Sequence, residues 1–415
     1  MEPLLRRRPG KIAPRSTFLR VTLPFLAGYF VSYVYRSVNA LIGPELAREF
    51  GLTAGGLGLL TGIYFFAFAA FQLPLGVLLD RYGPRRVNAT LLLVAAAGGL
   101  WFALAPSAGQ LIAARALLGL GVSGCLMASL TAFALWYPSE RLATMNGVAF
   151  ASGMLGAIVA TVPLELALRV LHWREAFYAI VALNIAVSLA LFVAVPERAS
   201  GRKRESVAQQ LRGYATVAKD PGFWRAALCM GASQMAAVSL GTLWVATWLR
   251  DVAGYSQAEI ARALLAFSIA MIAGYVVFGR AADAMSRRGQ STVALIAGGI
   301  AAASLSLLLL ALGMRAGALA LWCIFFCGST AGVLLYPLVA RRYPKEMAGR
   351  VNTALNVFVF IGMFSGQWAV GIVLNQWPQS ATGYATDAYV WALGVVWLAQ
   401  FAGLGWLWTG RRSLA

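Results

Sequence analysis

Long apolar runs separated by short polar turns dominate this sequence. Each run holds about twenty residues, which is long enough to cross the roughly 30 Å of hydrocarbon in a bilayer. Because backbone polar groups in lipid must be satisfied internally, runs of this length predict helices. The pattern predicts an all-α membrane protein with twelve spans: Phe18–Gly43, Gly55–Leu79, Val87–Ala105, Ala108–Trp136, Leu142–Leu168, Ala176–Val195, Phe223–Leu249, Ala261–Gly279, Ser291–Leu312, Ala316–Ala340, Val351–Leu374 and Ala388–Thr409.

The composition agrees with this prediction. Of the 415 residues, 60% are hydrophobic and 12% are charged, whereas a soluble domain carries about 25% charged residues. The four cysteines fall within predicted spans and form neither a disulfide framework nor a zinc pattern. With one histidine and no clustered carboxylates, the chain lacks the residues of an enzyme active site. We therefore expect no metal, no cofactor and no catalysis.

The net charge of +19 would suit a nucleic-acid partner, but the positions of the charges favour a membrane topology. When loops are assigned alternately to two sides, the side with both termini holds 26 of the 34 Lys and Arg residues. The opposite side holds six and the spans hold two. This asymmetry follows the positive-inside rule. We expect an inner-membrane protein with cytoplasmic termini, whose basic loops attract anionic lipid and bind no nucleic acid.

The chain divides into two halves of six spans. The longest polar interruption lies between them, and features recur across it: Asp80 and Asp283 are 203 residues apart, and Tyr137 and Tyr343 begin Tyr-Pro turns 206 residues apart. Repeated halves place a substrate site at their interface, near the membrane midplane. The predicted segments are a tail at 1–17, bundles at 18–196 and 222–409, a cytoplasmic linker at 197–221 and a tail at 410–415.

A charged turn joins the second and third predicted spans. It contains Gly76, Asp80, Arg81, Gly83, Arg85 and Arg86. The chain resembles the major facilitator superfamily in the residues of this turn and in Arg115, Gly119 and Gly121 of the fourth span. The resemblance extends along essentially the whole chain. The resemblance implies two six-helix bundles, a monomer, and a secondary transporter that opens alternately to either side.

The resemblance also implies a gating role for the charged turn. A carboxylate at the end of its own helix is drawn to the positive amino end of another helix, which for Asp80 would be the start of the eleventh span near Gly349. The three arginines would brace this contact while the cytoplasmic gate is shut. Asp283 marks a looser second copy in the other half. The alternative is a basic loop that only sets topology.

Two arginines fall inside predicted spans, where a charge costs at least about 2.5–3.5 kcal/mol and is a functional candidate. Arg36 lies roughly 10 Å deep at 1.5 Å per residue, on a polar stripe with Tyr29, Tyr33 and Asn39. Arg115 lies at similar depth in the fourth span, so the pair would attract an anion. Arg36 could instead snorkel to headgroups, and Arg115 could be a structural arginine.

Weaker candidates lie in other spans. A proton-coupling role is a hypothesis for Glu165, although Arg169 one turn later makes an ion pair the default. Polar residues at helix contacts can also simply join helices, at about 0.6 kcal/mol each. The remaining candidates for contact with substrate are Gln234, Trp244, Ser329, Tyr336 and Asn356.

The first span is most similar to that of the organic anion symporter branch of the family. The resemblance rests on Tyr33, Arg36 and Asn39, followed by Pro44-Glu45-Leu46, with Tyr35 where that branch carries an acid. It implies uptake of a small carboxylate-type anion, coupled to H⁺ or Na⁺, although the missing acid removes one route for protons. A drug or metabolite exporter and a non-transporting sensor remain as alternatives.

Overall fold

The computed structural model describes residues 17–197, 215–344, 347–378 and 383–411. Within them, twelve helices are long and apolar enough to cross a membrane, which confirms the predicted all-α architecture. These spans, numbered in chain order, are Phe18–Ser37, Ala54–Gln72, Arg81–Leu104, Ala108–Trp136, Thr144–Leu168, Trp173–Ala194, Pro221–Asp251, Gln257–Arg287, Val293–Ala311, Ala318–Ala340, Gly349–Leu374 and Thr386–Thr409.

Parts of the predicted segments lie outside the described residues. They are the terminal tail at 1–16, most of the linker at 198–214, residues 345 and 346 of the second Tyr-Pro turn, and the tail at 412–415. Because twelve spans bring both chain ends to one side, we call the membrane face at residues 17 and 411 the terminal face. The opposite face is the distal face.

Several span boundaries differ from the predicted ones, and two of these differences change how neighbouring helices are connected. The first span does not end near Gly43, because a second helix, Asn39–Phe50, follows it with Pro44 inside and stops at Gly51, whose φ is 60°. Spans 2 and 3 belong to one helical run, Ala54–Leu104, broken at Gly83 with φ 79°. A positive φ costs glycine little, so the charged turn bends where glycine permits it.

Each half ties its first span to the Tyr-Pro turn that follows its fourth span. The Tyr137 hydroxyl lies 2.6 Å from Oγ1 of Thr22, and the Tyr343 hydroxyl donates to Asp220 over 2.7 Å. Burial acts to raise the pKa of Asp220, but hydrogen bonds from Tyr343, the Gly222 N–H and Arg342 outweigh it and lower that pKa. The two tyrosines thus make similar but not identical contacts at the same end of each half.

The halves meet tightly along spans 2 and 11, in what we call the distal seam. A Cβ added to Gly58 would overlap the Gln367 carbonyl oxygen, so the two backbones are in contact there. The Gly55 N–H donates to the Asn375 side chain over 3.2 Å. Small residues allow such close helix packing in membranes. The distal ends of the two halves are therefore closed against each other.

The same helix faces continue toward the terminal face. Gly76 lies 18 residues after Gly58, and Gly349 lies 18 residues before Gln367. At 3.6 residues per turn, that is about five turns, so both glycines continue the contacting faces. Among the described residues, a Cβ added at either glycine would meet no heavy atom within 4 Å. The structure is closed at the distal face, and its described residues show no matching close contact at these two glycines near the terminal face.

Candidate functional site

Arg36 lies at the interface between the two halves. Its guanidinium carbon is 4.5 Å from the ring centroid of Tyr33 and 5.9 Å from those of Phe65 and Phe68, all in the first half. It is 5.6 Å from the ring of Phe360, which lies near the middle of span 11 in the second half. Arg36 thus faces inward near mid-depth, and snorkelling to headgroups does not describe it.

The guanidinium of Arg36 is only partly satisfied by these neighbours. Its side chain is half-buried, and its Nε is buried without a hydrogen-bond partner. The sequence places no Asp or Glu at 18–44, 50–79 or 81–139, so spans 1 to 4 carry no carboxylate between their ends. An inward-facing cation without an acidic partner at this depth attracts an anion, and its planar fork matches a carboxylate or sulfonate.

Tyrosine hydroxyls extend the site from Arg36 toward other spans. Tyr29 donates to Tyr33 over 3.3 Å, and Gly153 lets span 5 pack against both rings. Tyr275 of span 8 and Tyr336 of span 10 lie close enough to interact electrostatically with Tyr33. Tyr275 is not among the residues that the sequence pattern singles out. Its only signal is a polar hydroxyl, directly after Gly274, within an otherwise apolar run.

Arg115 sits behind Tyr64 and not beside Arg36 on the open surface. It is 1% exposed, and its guanidinium carbon is 4.9 Å from the Tyr64 ring centroid. Its Nε and Nη1 atoms are buried without partners. Tyr64 contacts both arginines and donates its hydroxyl to the Ser32 carbonyl over 3.2 Å. In this conformation only Arg36 can meet a ligand directly, while Arg115 adds positive potential behind it.

Most of the weaker candidates join helices in this conformation. Asn39 is fully buried and donates to Thr61 over 3.1 Å. Trp244 donates to the Gln367 carbonyl over 3.1 Å, within the second half at the distal seam. Gln234 donates to the carbonyl of Ser329 over 3.4 Å. The Ser329 hydroxyl donates within its own helix, to the Phe325 carbonyl over 2.7 Å. Contact of these four side chains with a ligand stays a prediction.

Tyr336 and Asn356 are better placed to contact a ligand. The Tyr336 hydroxyl donates to the Asn356 side-chain oxygen over 2.8 Å, and both residues are half-buried. They come from spans 10 and 11, opposite the tyrosines of span 1. The amide of Asn356 keeps two N–H groups, which suits it to accompany Arg36 in binding an anion.

Glu165 forms the ion pair that its spacing predicts. Its carboxylate accepts from Nε of Arg169 over 2.8 Å, and the Arg169 side chain is 56% exposed. The pair lies in the short helix Val162–Leu168 at the distal end of span 5. The hydrogen bond with Glu165 raises the pKa of Arg169. Glu165 is therefore held at the distal end of its span, away from the mid-depth site.

The charged turn makes its described contacts within the first half. Arg85 donates to the Phe192 carbonyl, Arg86 pairs with Glu197 over 2.6 Å, and Arg81 lies over the Tyr82 ring at 5.2 Å. Asp283 is exposed at the terminal end of span 8. The Asp80 side chain is outside the described part of the chain. Its contact with the start of span 11 stays a prediction for the conformation in which the terminal face closes.

Comparisons with known proteins bear on this site. The sequence model of the Major Facilitator Superfamily matches residues 25–367. A probable sulfoacetate transporter of Cupriavidus necator is 27% identical over 161 residues, which are 39% of this chain and 37% of that protein. A quinolone resistance transporter of Acinetobacter baumannii is 22% identical over 89% of this chain and 90% of its own.

A solved structure shows the same fold. It is the crystal structure of a bacterial homolog of the human lysosomal transporter Spinster, in an inward-facing, unoccupied conformation. The TM-score is 0.79 with 17% identity, and the match covers 97% of this chain and 98% of the other.

Proposed function

The chain belongs to the Major Facilitator Superfamily, and from that premise we propose that it is a secondary transporter for small organic anions. Arg36 would bind the anionic group, and the tyrosines together with Asn356 would contact the rest of the molecule. With the termini in the cytoplasm, as the loop charges predict, the structure is open inward. Alternating access would then carry the anion into the cell, coupled to an ion gradient.

The observation that carries this proposal is the uncompensated charge of Arg36 between the halves. An arginine at mid-depth without a carboxylate is expensive, and it is retained where a ligand or pathway needs it. Arg36 meets rings from both halves, so a bound anion would touch both walls of the cavity. Membership of the family indicates transport by alternating access. The charge of Arg36 indicates an anionic substrate.

The direct test is uptake by purified protein in proteoliposomes. We expect saturable uptake of labelled sulfoacetate, or of a related sulfonate or carboxylate, above the rate of protein-free vesicles. A neutral analogue in which both acid groups of sulfoacetate are replaced by amides, 2-sulfamoylacetamide, should not compete. If no sulfonate or carboxylate shows saturable flux, with or without a pH or sodium gradient, the proposal is wrong.

An exporter of drugs is the second candidate, and the match to the quinolone resistance transporter along most of the chain favours it. The two candidates make different demands on Arg36. An exporter of cationic drugs would be impeded by an uncompensated positive charge at the site, since like charges repel in a low dielectric. Resistance conferred in cells by the wild type and retained by Arg36→Gln would support the exporter.

Glu165→Gln is expected to leave anion uptake and its pH dependence within about twofold of the wild type. The reason is that Glu165 lies at the distal end of span 5, away from Arg36, and its carboxylate already has Arg169 as its partner. Uptake should be measured across a range of external pH, with Arg169→Gln as the matched control. Loss of the pH dependence in Glu165→Gln alone would assign proton coupling to this carboxylate.

A further inference from the structure

The aromatic rings around Arg36 also form the central part of the distal seam. Phe68 of span 2 and Phe360 of span 11 are stacked, with centroids 4.0 Å apart and planes inclined by 21°. Both rings are nearly buried, and both lie within 6 Å of the Arg36 guanidinium carbon. One cation therefore contacts a ring pair whose members belong to opposite halves.

This contact depends on the charge of Arg36. A guanidinium is attracted to the negative face of an aromatic ring, and the attraction is greatest where water is excluded. An anion that pairs with the guanidinium neutralises its positive charge, so the attraction between Arg36 and the rings falls. Separation of spans 2 and 11 would also remove Phe360 from Arg36, which makes the contact specific to the conformation closed at the distal face.

We propose that Phe360, through its stack on Phe68, couples occupancy of Arg36 to the distal seam. Without a ligand, the Arg36 cation of the first half attracts the Phe360 ring of the second half, which favours the closed seam. An anion on Arg36 weakens that attraction and allows the distal face to open. The inference rests on the proposed function in one respect, namely that the ligand of Arg36 is an anion. Phe360 is a positioning residue here, because it acts through Arg36 and the seam.

A second ring pair across the seam provides a matched comparison. Phe66 and Phe364 also come from spans 2 and 11, with centroids 5.3 Å apart and an interplanar angle of 51°. Phe364 lies one helical turn from Phe360. Among the described residues its ring contacts Phe66 and Trp368, and no described arginine lies over it. Loss of either pair removes a ring contact between the halves, but only loss of the Phe360 pair removes the response to charge.

The experiment measures the width of the distal seam by spin-label distances. Labels at Arg48 and Gln376, both exposed near the distal face on opposite halves, are introduced after the four native cysteines are replaced by alanine. Without ligand, Phe360→Leu and Arg36→Gln are each expected to raise the open-to-closed ratio about threefold to tenfold. Arg36→Lys and Phe360→Tyr, which keep the cation and the ring, should stay within about twofold of the wild type.

The double variant separates charge sensing from packing. If Phe360 acts through Arg36, the variant that carries both Arg36→Gln and Phe360→Leu should not open the seam further than either single variant does. Its open-to-closed ratio should match that of the single variant with the larger effect. Additive effects, or an equal shift from Phe364→Leu, would overturn the inference. Should Phe360→Leu fail to fold, as judged by thermal unfolding, Phe68→Leu breaks the same stack from the other half.

These ligand-free measurements decide the inference separately from the proposed function. Sulfoacetate is then added to wild type and to Phe360→Leu. We expect it to open the seam in the wild type and to have a smaller effect in the variant. If the protein takes up anions but Arg36→Gln leaves the open-to-closed ratio of the seam unchanged, the coupling role is wrong and the proposed function stands. The absence of saturable anion uptake would contradict the proposed function, while the ligand-free measurements would still decide whether Arg36 and Phe360 hold the seam together.

Discussion

Arg36→Gln is expected to lower anion uptake by about a hundredfold or more. Removing one partner of a buried ion pair costs about 3–5 kcal/mol, and each 1.4 kcal/mol corresponds to about tenfold in affinity. Glutamine keeps part of the length and some hydrogen bonding but carries no charge. The loss should therefore appear as a large rise in the substrate concentration for half-maximal uptake, measured in proteoliposomes.

The controls separate charge, shape and folding. Arg36→Lys keeps the charge but loses the planar fork, so an intermediate loss is expected. Arg225→Gln removes an arginine at the terminal face, where it donates to the Trp406 carbonyl, and should retain near-normal uptake. Thermal unfolding of each variant checks its fold. Near-normal uptake by Arg36→Gln would remove Arg36 from the binding site and leave the anion class without support.

The number of spans could be predicted because membrane crossing imposes a minimum apolar length, which is visible in the sequence alone. The end of the first span was harder, since the helix that follows it, Asn39–Phe50, holds Pro44 and mixes polar with apolar residues. Proline usually ends a helix. Here it lies in the first turns of a second helix, and Gly51 provides the actual stop.

The site could be predicted only where a polar group made it visible. Arg36 was found because a cation in an apolar run is costly. The depth of Arg115 could also be read from the sequence, but its burial behind Tyr64 depends on how span 4 is rotated against span 2. Phe68 and Phe360 gave no signal, because aromatic residues in apolar runs usually face lipid or core. Their role follows from contacts between spans nearly 300 residues apart.

Gly58→Val is expected to hold the protein open at the distal face and to reduce uptake about tenfold or more. Any Cβ at this position overlaps the Gln367 carbonyl oxygen, and backbone atoms cannot yield as a flexible side chain can. Overpacking of this kind costs about 1–3 kcal/mol, which shifts a conformational equilibrium by about fivefold to 150-fold. Spin labels across the distal seam, together with uptake, would measure both effects.

Two other glycines test whether the effect belongs to the seam. Gly298→Val adds the same side chain at an exposed position of span 9 with no heavy atom within 4 Å, so little change is expected. Gly76→Val lies beyond span 2, in the part of the helical run Ala54–Leu104 that continues toward the terminal face, where no described residue lies within 4 Å of an added Cβ. It should impede closure of the terminal face, and so favour the closed distal seam while it also slows uptake.

Opposite shifts from two glycines about five turns apart on one helix would show that spans 2 and 11 close at one end as they part at the other. A shift of the same sign from both would mean that the substitutions only disturb packing.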